Sequence, residues 1–249
     1  MLEFKEISVR FGRKEALKNV SFSLRPHRLT VLLGRNGSGK STLLNCTNQQ
    51  VSYTGTIWEG EKNLALLSGR ERAKMLAILP QTMPTPHITA REMVAFGRNP
   101  YLDFTGRLTE KDRQAVASAL SDANAADLAD RYADTLSGGE LQRVRLAMIL
   151  AQNTPIALLD EPTAHMDQCH EGEFLELLTD LKRRRKKTFL VILHDLTLAA
   201  EYADDLVILD DGKVVFTGSK EDCLTQGIIE DVFGVKRYTA EEKIFFSAK

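Results

Sequence analysis

A glycine-rich segment, residues 34–41, has the spacing G-x-x-x-x-G-K-[ST], which is typical of phosphate-binding loops. It follows the apolar run 29–33 and precedes a helical pattern that starts at Thr42. Glycines allow successive backbone N–H groups to point at phosphate oxygens, and the start of a helix adds positive potential. A plain glycine-rich turn would leave Lys40 without a purpose, whereas a phosphate loop uses it to span the β- and γ-phosphates. The residues expected to bind a nucleotide here are Gly34, Asn36, Gly37, Ser38, Gly39, Lys40, Ser41 and Thr42.

Two carboxylates, Asp160 and Glu161, follow the apolar run 156–159, at the carboxyl end of a predicted buried strand. Ligands of open α/β sheets bind at that end of the strands. Two acids side by side are costly there unless something neutralises them. We expect Asp160, like the hydroxyl of Ser41, to bind Mg²⁺, which leaves Glu161 to polarise an attacking water. Capping of a helix before Pro162 would account for one of these acids but not for both.

A second glycine pair opens another predicted helix at Leu136–Glu140. Ser137 and Glu140 have the spacing of a capping box, in which each residue satisfies a backbone N–H of the other. The box does not explain Gly138 and Gly139, because each glycine within a helix costs about 1 kcal/mol relative to alanine. Adjacent glycines at a helix start do allow a phosphate to approach the bare N–H groups. The sequence therefore predicts two phosphate-binding helix starts, although one nucleotide needs only one.

The elements that must position these residues follow from the hydrophobic pattern. The runs 29–33, 156–159 and 189–193 are nearly all apolar and are separated by helical sequence, which is typical of a parallel sheet covered on both faces. In contrast, residues 2–11 and 20–24 alternate between apolar and polar, which predicts antiparallel strands with one face in water.

Other segments have helix or turn signals. Between residues 80 and 132 helical patterns dominate, with a capping box from Thr109 to Asp112. The runs 206–209 and 214–217 flank Asp-Asp-Gly-Lys, a hairpin signal. We therefore predict one α/β domain over residues 1–249. It would have a core with a mostly parallel sheet, an N-terminal antiparallel β subdomain and a helical subdomain inserted at about 82–150.

The composition excludes several classes of protein. The chain has 249 residues, a net charge of -1, 43% hydrophobic and 27% charged residues, as globular proteins do. Its near-neutral charge argues against a generic nucleic-acid binder. Three cysteines without a CxxC spacing indicate neither a disulfide framework nor a zinc knuckle. The basic block Lys182 to Lys187 falls at the end of a predicted helix, where cations complement the helix dipole.

In their order along the chain, these motifs resemble the nucleotide-binding subunit of an ATP-binding cassette (ABC) transporter, and the resemblance covers nearly the whole length. Residues 34–41 resemble its P-loop, and Asp160 with Glu161 resembles its Walker B pair. Leu136–Glu140 resembles the ABC signature, whose usual fifth residue is glutamine. In that family two subunits dimerise head to tail, and the signature of one closes over the γ-phosphate held by the other. The resemblance thus accounts for two phosphate sites and implies ATP and Mg²⁺ as ligands.

The resemblance also assigns roles to single residues. Phe11 resembles the aromatic that stacks on adenine, usually a tyrosine, and Gln81 matches the Q-loop residue that senses Mg²⁺ and the permease. Asp167 ends a segment that resembles the D-loop, and His194 matches the switch histidine that contacts the γ-phosphate. The signature residues implied to bind nucleotide are Ser137, Gly138, Gly139 and Glu140. His165, Cys169 and His170 also suggest a metal cluster, but no ligand spacing supports one, and the D-loop accounts for these residues better.

The segments 96–101, 106–109 and 193–204, with a histidine in the D-loop, look like the branch of importers for iron(III)-siderophores, haem or cobalamin. That branch implies a homodimer of ATPase subunits on the cytoplasmic side of the membrane, bound peripherally below two permease subunits. A substrate-binding protein would supply the substrate, and no nucleic-acid partner is expected.

Two other classes of function compete with this interpretation. The first is a soluble ABC-type ATPase that acts on DNA or ribosomes, but such proteins carry two cassettes or a long coiled coil, and no sustained heptads separate the motifs here. The second is an ordinary P-loop kinase or GTPase, which would leave the signature and His194 unexplained.

Overall fold

The computed structural model of the chain describes residues 1–164, 166–240 and 243–248. Within these residues there are twelve strands and nine helices, besides short 3₁₀ turns. The strands are β1 (Leu2–Phe11), β2 (Lys14–Ser23), β3 (Leu29–Gly34), β4 (Thr54–Glu59), β5 (Lys62–Asn63), β6 (Leu76–Leu79), β7 (Ile156–Asp160), β8 (Thr188–Ile192), β9 (Asp205–Asp210), β10 (Lys213–Ser219), β11 (Val235–Ala240) and β12 (Lys243–Ala248). The helices are α1 (Lys40–Thr47), α2 (Gly69–Arg72), α3 (Ala90–Ala95), α4 (Glu110–Asp122), α5 (Gly138–Ala151), α6 (Gln168–Arg185), α7 (Leu196–Tyr202), α8 (Lys220–Thr225) and α9 (Ile228–Phe233).

The chain divides into two compact units, residues 1–67 together with the chain from Thr188 onward, and Ser68–Lys187. In the first unit, β3 pairs in parallel with both β8 and β9, and every residue of β3 and β8 is buried. Strand β1 pairs antiparallel with β2 and β4, and its buried residues Leu2, Phe4, Ile7 and Val9 share the unit's core. The predicted α/β class with parallel central strands and an N-terminal antiparallel sheet is confirmed.

The hairpin between β9 and β10 forms as its sequence predicts. Asp211 and Gly212 both have positive φ, 43° and 76°, which is the requirement of a tight two-residue turn. A Cβ on Gly212 would lie 2.7 Å from the carbonyl oxygen of Ala16, so the turn packs closely against the start of β2. Lys18 closes the contact, because its Nζ donates to Asp211 at 2.5 Å.

The second unit contains the parallel pair β6 and β7 and the helices α2 to α6. Capping boxes begin α3, α4 and α5, as the spacing of Thr109 with Asp112 and of Ser137 with Glu140 predicts. After α3 the chain tightens into a 3₁₀ helix, Phe96–Tyr101, which contains a proline. Its Arg98 is buried, pairs with Asp112 at 2.9 Å and donates to the carbonyl oxygen of Ala151 at 2.7 Å. The 3₁₀ helix is thereby fixed to both α4 and α5.

The basic block at the end of α6 is bound within the second unit. Arg185 contacts Asp122 of α4 at 2.8 Å, and Arg184 contacts Asp180 one turn earlier at 2.8 Å. Lys187 is buried and its Nζ donates to the carbonyl oxygen of Thr154 at 2.5 Å, while burial lowers the pKa of its ammonium to about 8. These contacts agree with the structural interpretation of the block.

Several elements differ from the sequence analysis. Strand β2 starts at Lys14 rather than Val20. The short strands β4, β5 and β6 and the pair β11 with β12 were not identified from the sequence. None of the helices in the described part of the chain combines the length and the apolar character that a bilayer crossing requires.

We predict that Gly97→Ala lowers the free energy of unfolding by about 1–3 kcal/mol, the usual cost of overpacking. A Cβ at this position would lie 2.1 Å from the carbonyl oxygen of Met148, which belongs to the rigid backbone of α5. The matched control is Gly69→Ala in α2, where the nearest atom is 3.9 Å away and belongs to the flexible Arg72 side chain. Urea unfolding of both variants checks the prediction, and equal midpoints would contradict it.

Candidate functional site

The P-loop (residues 34–41) connects β3 to α1 in the first unit, and its glycines are required by close packing. Gly39 has φ 105°, and a Cβ there would lie 2.6 Å from Leu17 Cδ2 and 2.8 Å from the carbonyl oxygen of Ala16. A Cβ on Gly34 would lie 2.4 Å from the carbonyl oxygen of Leu209. The loop therefore keeps its path only with glycine at these two positions, which leaves its backbone free of side-chain cover.

Lys40 and Ser38 provide the polar groups of this loop. Lys40 is 6% exposed, and its contacts include Nζ donation to the carbonyl oxygens of Gly34 at 2.7 Å and Arg35 at 3.3 Å. The hydroxyl of Ser38 is buried and has no hydrogen-bond partner among the residues that the structure describes. An anionic phosphate is a stronger partner for an ammonium than a neutral carbonyl is. The buried cation and the unsatisfied hydroxyl fit a phosphate group as the ligand of this loop.

The other nucleotide-binding residues predicted in the first unit lie in the P-loop, in the first turn of α1, or after the neighbouring strand β8. Asn36 and Gly37 are exposed at the tip of the loop, while Ser41 and Thr42 are half-buried in the first turn of α1. His194 follows β8, whose residues 189–192 pair in register with residues 29–32 of β3. Parallel neighbours end at the same edge of a sheet, so His194 and the P-loop emerge at one edge of this unit.

Phe11 is the last residue of β1 and is 52% exposed. A large aromatic ring that is half-exposed can offer a face for stacking to a planar group. This exposure is what the role of an adenine-stacking residue requires.

In the second unit, Gln81 and Glu161 come together although 80 positions separate them. Leu79 of β6 pairs with Leu159 of β7. Gln81 and Glu161 each lie two residues after this pair, so they follow their strands at the same edge of the sheet. The amide Nε2 of Gln81 donates to Oε2 of Glu161 at 2.6 Å. Glu161 has φ 50°, a left-handed backbone conformation that is uncommon for a residue with a Cβ.

Asp160 ends β7 and is 8% exposed, whereas Glu161 next to it is half-buried. The two neighbouring acids therefore have different environments. A nearly buried carboxylate oxygen is a ligand that Mg²⁺ accepts, and a more exposed carboxylate held by an amide can contact water. The different burial fits the division of roles that the sequence analysis predicts.

The signature segment (Leu136–Glu140) forms the start of α5. Ser137 is the N-cap, and its hydroxyl accepts from the backbone N–H of Glu140 at 3.3 Å, while its own N–H donates to Glu140 Oε2 at 2.8 Å. A Cβ on Gly139 would be 3.6 Å from Met166 Cε and 3.7 Å from His170 Cδ2, which are ordinary contacts. The fold thus tolerates a side chain at position 139, so packing does not explain why this residue is glycine.

A cavity of about 460 Å³ adjoins the signature segment in the second unit. Besides the four signature residues from Ser137 to Glu140, it is lined by residues of the first turns of α6, among them Asp167 and His170. Asp167 caps α6, because its Oδ1 accepts from the backbone N–H of His170 at 3.0 Å and lies 2.7 Å from that residue's Nδ1. His165 and the side chain of Cys169 lie outside the described residues.

Arg131 is a residue of this site that the sequence analysis missed. Its Nη1 donates to Oε1 of Glu140 at 2.6 Å. The pKa of Glu140 is lowered to about 2, mainly by the hydrogen bond from the N–H of Ser137 and next by the hydrogen bond from Arg131. Arg131 lies in an irregular segment between α4 and α5, where no periodicity or capping pattern marks a functional side chain.

Comparisons with known proteins show the family of the chain. The family model described as ABC transporter matches residues 17–164, more than half of the chain. The iron(3+)-hydroxamate import ATP-binding protein FhuC of Bacillus subtilis is 35% identical, with 94% of this chain and 88% of FhuC covered. The hemin import ATP-binding protein HmuV of Pseudomonas aeruginosa is 40% identical, with 95% of this chain and 93% of HmuV covered.

Solved structures share the fold. The crystal structure of a nucleotide-free ATP-binding cassette from an ABC transporter matches with a TM-score of 0.84 at 26% identity, covering 94% of this chain and 97% of the other. The fold class predicted from the sequence is thereby confirmed a second time.

We predict that Gly139→Ala separates stability from activity. The free energy of unfolding should stay the same or rise by up to about 1 kcal/mol, because alanine is the better helix former. ATP hydrolysis should fall roughly 100-fold, because the added Cβ keeps the phosphate away from the backbone N–H, an effect comparable to losing one donor to a phosphate-like anion. Urea unfolding and phosphate release measure the two effects.

Gly69→Ala is the matched control for this variant, since it makes the same change at the start of α2, where no ligand is expected. It should leave both stability and hydrolysis close to those of the parent chain. Full activity of Gly139→Ala would show that no phosphate approaches this helix start.

Proposed function

We propose that this chain, which belongs to the ABC transporter family, is the ATP-hydrolysing subunit of an importer for an iron chelate, either an iron(III)-siderophore or haem. The hydrogen bond between Gln81 and Glu161 carries the hydrolytic part of the proposal, because it holds a carboxylate at the strand edge where ligands bind. The substrate class rests on relatives named for import of iron(3+)-hydroxamate and hemin, which match nearly the whole chain.

The chemical step is attack of water on the γ-phosphorus of ATP, with ADP as the leaving group. In the proposed reaction Glu161 accepts a hydrogen bond from the attacking water, and Gln81 restrains the carboxylate through its amide N–H. Lys40 and the N–H groups of the P-loop stabilise the negative charge on the transferred phosphoryl group. His194 adds a contact to the γ-phosphate.

Magnesium is the metal that this proposal requires. The hydroxyl of Ser41 and the nearly buried carboxylate of Asp160 are hard oxygen donors of the kind that Mg²⁺ prefers, and Gln81 offers an amide oxygen. The ion would neutralise charge on the phosphates, as it does in other P-loop NTPases.

The proposed assembly is a head-to-tail homodimer. The signature residues Ser137, Gly138 and Gly139 of one chain, next to Glu140, would bind the γ-phosphate of the ATP on the P-loop of the other. Support comes from the two helix starts with bare glycines, at α1 and α5, because one nucleotide occupies only one of them. Phe11 would stack on adenine, and Asp167 would lie near the nucleotide across the dimer.

The remaining partners follow from the same proposal. Two permease subunits in the membrane would bind the dimer on its cytoplasmic side, and a substrate-binding protein would supply the iron chelate. The helical subdomain at about 82–150, which begins next to Gln81, would transmit the motion to the permease. The chain would therefore be a peripheral membrane protein.

We predict that Glu161→Gln reduces kcat for ATP hydrolysis about 100- to 1000-fold, because the amide cannot accept the proton of the attacking water. Binding of ATP should be unchanged, and the variant should accumulate as an ATP-bound dimer. The matched control is Glu176→Gln on an exposed position of α6, which should hydrolyse ATP at the parent rate. Phosphate release and equilibrium ATP binding distinguish the outcomes, and full turnover by Glu161→Gln would refute the assigned role.

The importer itself is tested by purification of the tagged chain from detergent-solubilised membranes of its own cells. We expect a polytopic permease to accompany it, and ATP hydrolysis to rise when the binding protein and its iron chelate are added. Recovery of soluble partners alone would place the chain among ABC-type ATPases that act elsewhere and would contradict the transport part of the proposal.

A further inference from the structure

Glu140 places a negative charge at the start of α5, where the proposed function places a phosphate. It is the third residue of the helix, and its Oε2 accepts from the N–H of Ser137 at 2.8 Å. A carboxylate and a phosphate compete for the same positive helix end, and they repel each other. A charged residue at this position therefore opposes binding of the γ-phosphate unless another group neutralises it.

The carboxylate stays charged at neutral pH. The N–H of Ser137 and the guanidinium of Arg131 lower the pKa of Glu140 to about 2, so protonation cannot remove its charge under cellular conditions. Its two oxygens are used differently, since Oε2 binds Ser137 and Oε1 accepts from Arg131 Nη1 at 2.6 Å. Arg131 is thus the cation in direct contact with this carboxylate.

Backbone hydrogen bonds hold the main chain of Arg131 beside the start of α3. The carbonyl oxygen of Arg131 accepts from the N–H of Ala90 at 2.8 Å, and its own N–H donates to Leu128 at 2.9 Å. The neighbouring Tyr132 forms a β-bridge with Thr89, which caps α3. The side chain of Arg131 is 46% exposed and that of Glu140 23%, and an ion pair this accessible contributes little to folding stability.

We infer that Arg131 is a positioning residue for the signature segment: it neutralises and orients Glu140, so that Ser137 and Gly139 can bind the γ-phosphate of the facing subunit. This inference rests on the proposed function, in which the signature segment binds ATP across a dimer. It assigns Arg131 a role only where residue 140 carries a charge. Glutamine at that position would still accept from the N–H of Ser137 and would need no cation.

The dependence on charge makes a double-mutant cycle the direct test. Arg131→Gln, Glu140→Gln and the double variant are made in the full chain that already carries Glu161→Gln, so that ATP is not consumed. Sedimentation velocity then gives the ATP concentration at which half of each protein is dimeric. A structural role of Arg131 would have the same effect whatever residue occupies position 140, whereas a role in charge neutralisation would not.

We expect Arg131→Gln to raise the required ATP concentration roughly tenfold when Glu140 is present, within the range for coupling between contacting residues. In the Glu140→Gln background the same change should raise it less than about twofold. Arg131→Lys keeps the positive charge and should recover most of the loss. Arg91→Gln is the matched control, because Arg91 forms an exposed pair with Asp130 in the same unit, and it should have no effect.

Equal losses from Arg131→Gln in both backgrounds, or no loss in either, would overturn the inference. Failure of the parent Glu161→Gln chain to dimerise with ATP is a different result. It would reject the head-to-tail dimer of the proposed function, and the inference about Arg131 would fall with it.

Discussion

A phosphate can bind backbone N–H groups only where no side chain covers them, and this constraint explains both glycine-rich helix starts. At Gly39 the fold itself excludes a side chain, because a Cβ would collide with Leu17 and Ala16. At Gly139 a Cβ would make only ordinary contacts, so the fold does not need glycine there. The fold accounts for the first glycine by itself, whereas the second has a reason only if a ligand approaches. This difference favours a second phosphate site.

In each unit, a pair of parallel strands ends at one edge of the sheet and places polar side chains there. In the first, the paired strands β3 and β8 end beside each other and place the P-loop and His194 at one edge. In the second, β6 and β7 do the same for Gln81 and Glu161, and a hydrogen bond of 2.6 Å joins these side chains. Each unit by itself therefore carries polar groups on loops that follow a pair of parallel strands.

Sequence reasoning succeeded where the signal is local. The buried strands β3, β7 and β8, the hairpin of β9 and β10 and the capping boxes all depend on a few adjacent residues, and the structure confirms them. It missed β5 and β6, which have two and four residues, and the hairpin of β11 with β12, whose connection Glu241-Glu242 has no turn-favouring residue. It also missed β4, whose partner β1 is set by the tertiary fold. The contact of Arg131 with Glu140 was missed for the same reason, since the position of Arg131 depends on its backbone bond to Ala90, 41 positions earlier. Gln81 and Glu161 were singled out from the sequence, but their contact depends on the register of β6 and β7.

The central claim is that the two phosphate-binding helix starts act on the same ATP from opposite chains. Mixing two inactive proteins, one with Lys40→Ala in the P-loop and one with Ser137→Arg in the signature segment, tests it most directly. In a head-to-tail dimer the mixed pair carries both defects at one site and leaves the other intact, so about a quarter of the parent ATPase activity should return at equal amounts. If both helix starts served a nucleotide within one chain, neither protein would hold an intact site, and the mixture would stay inactive.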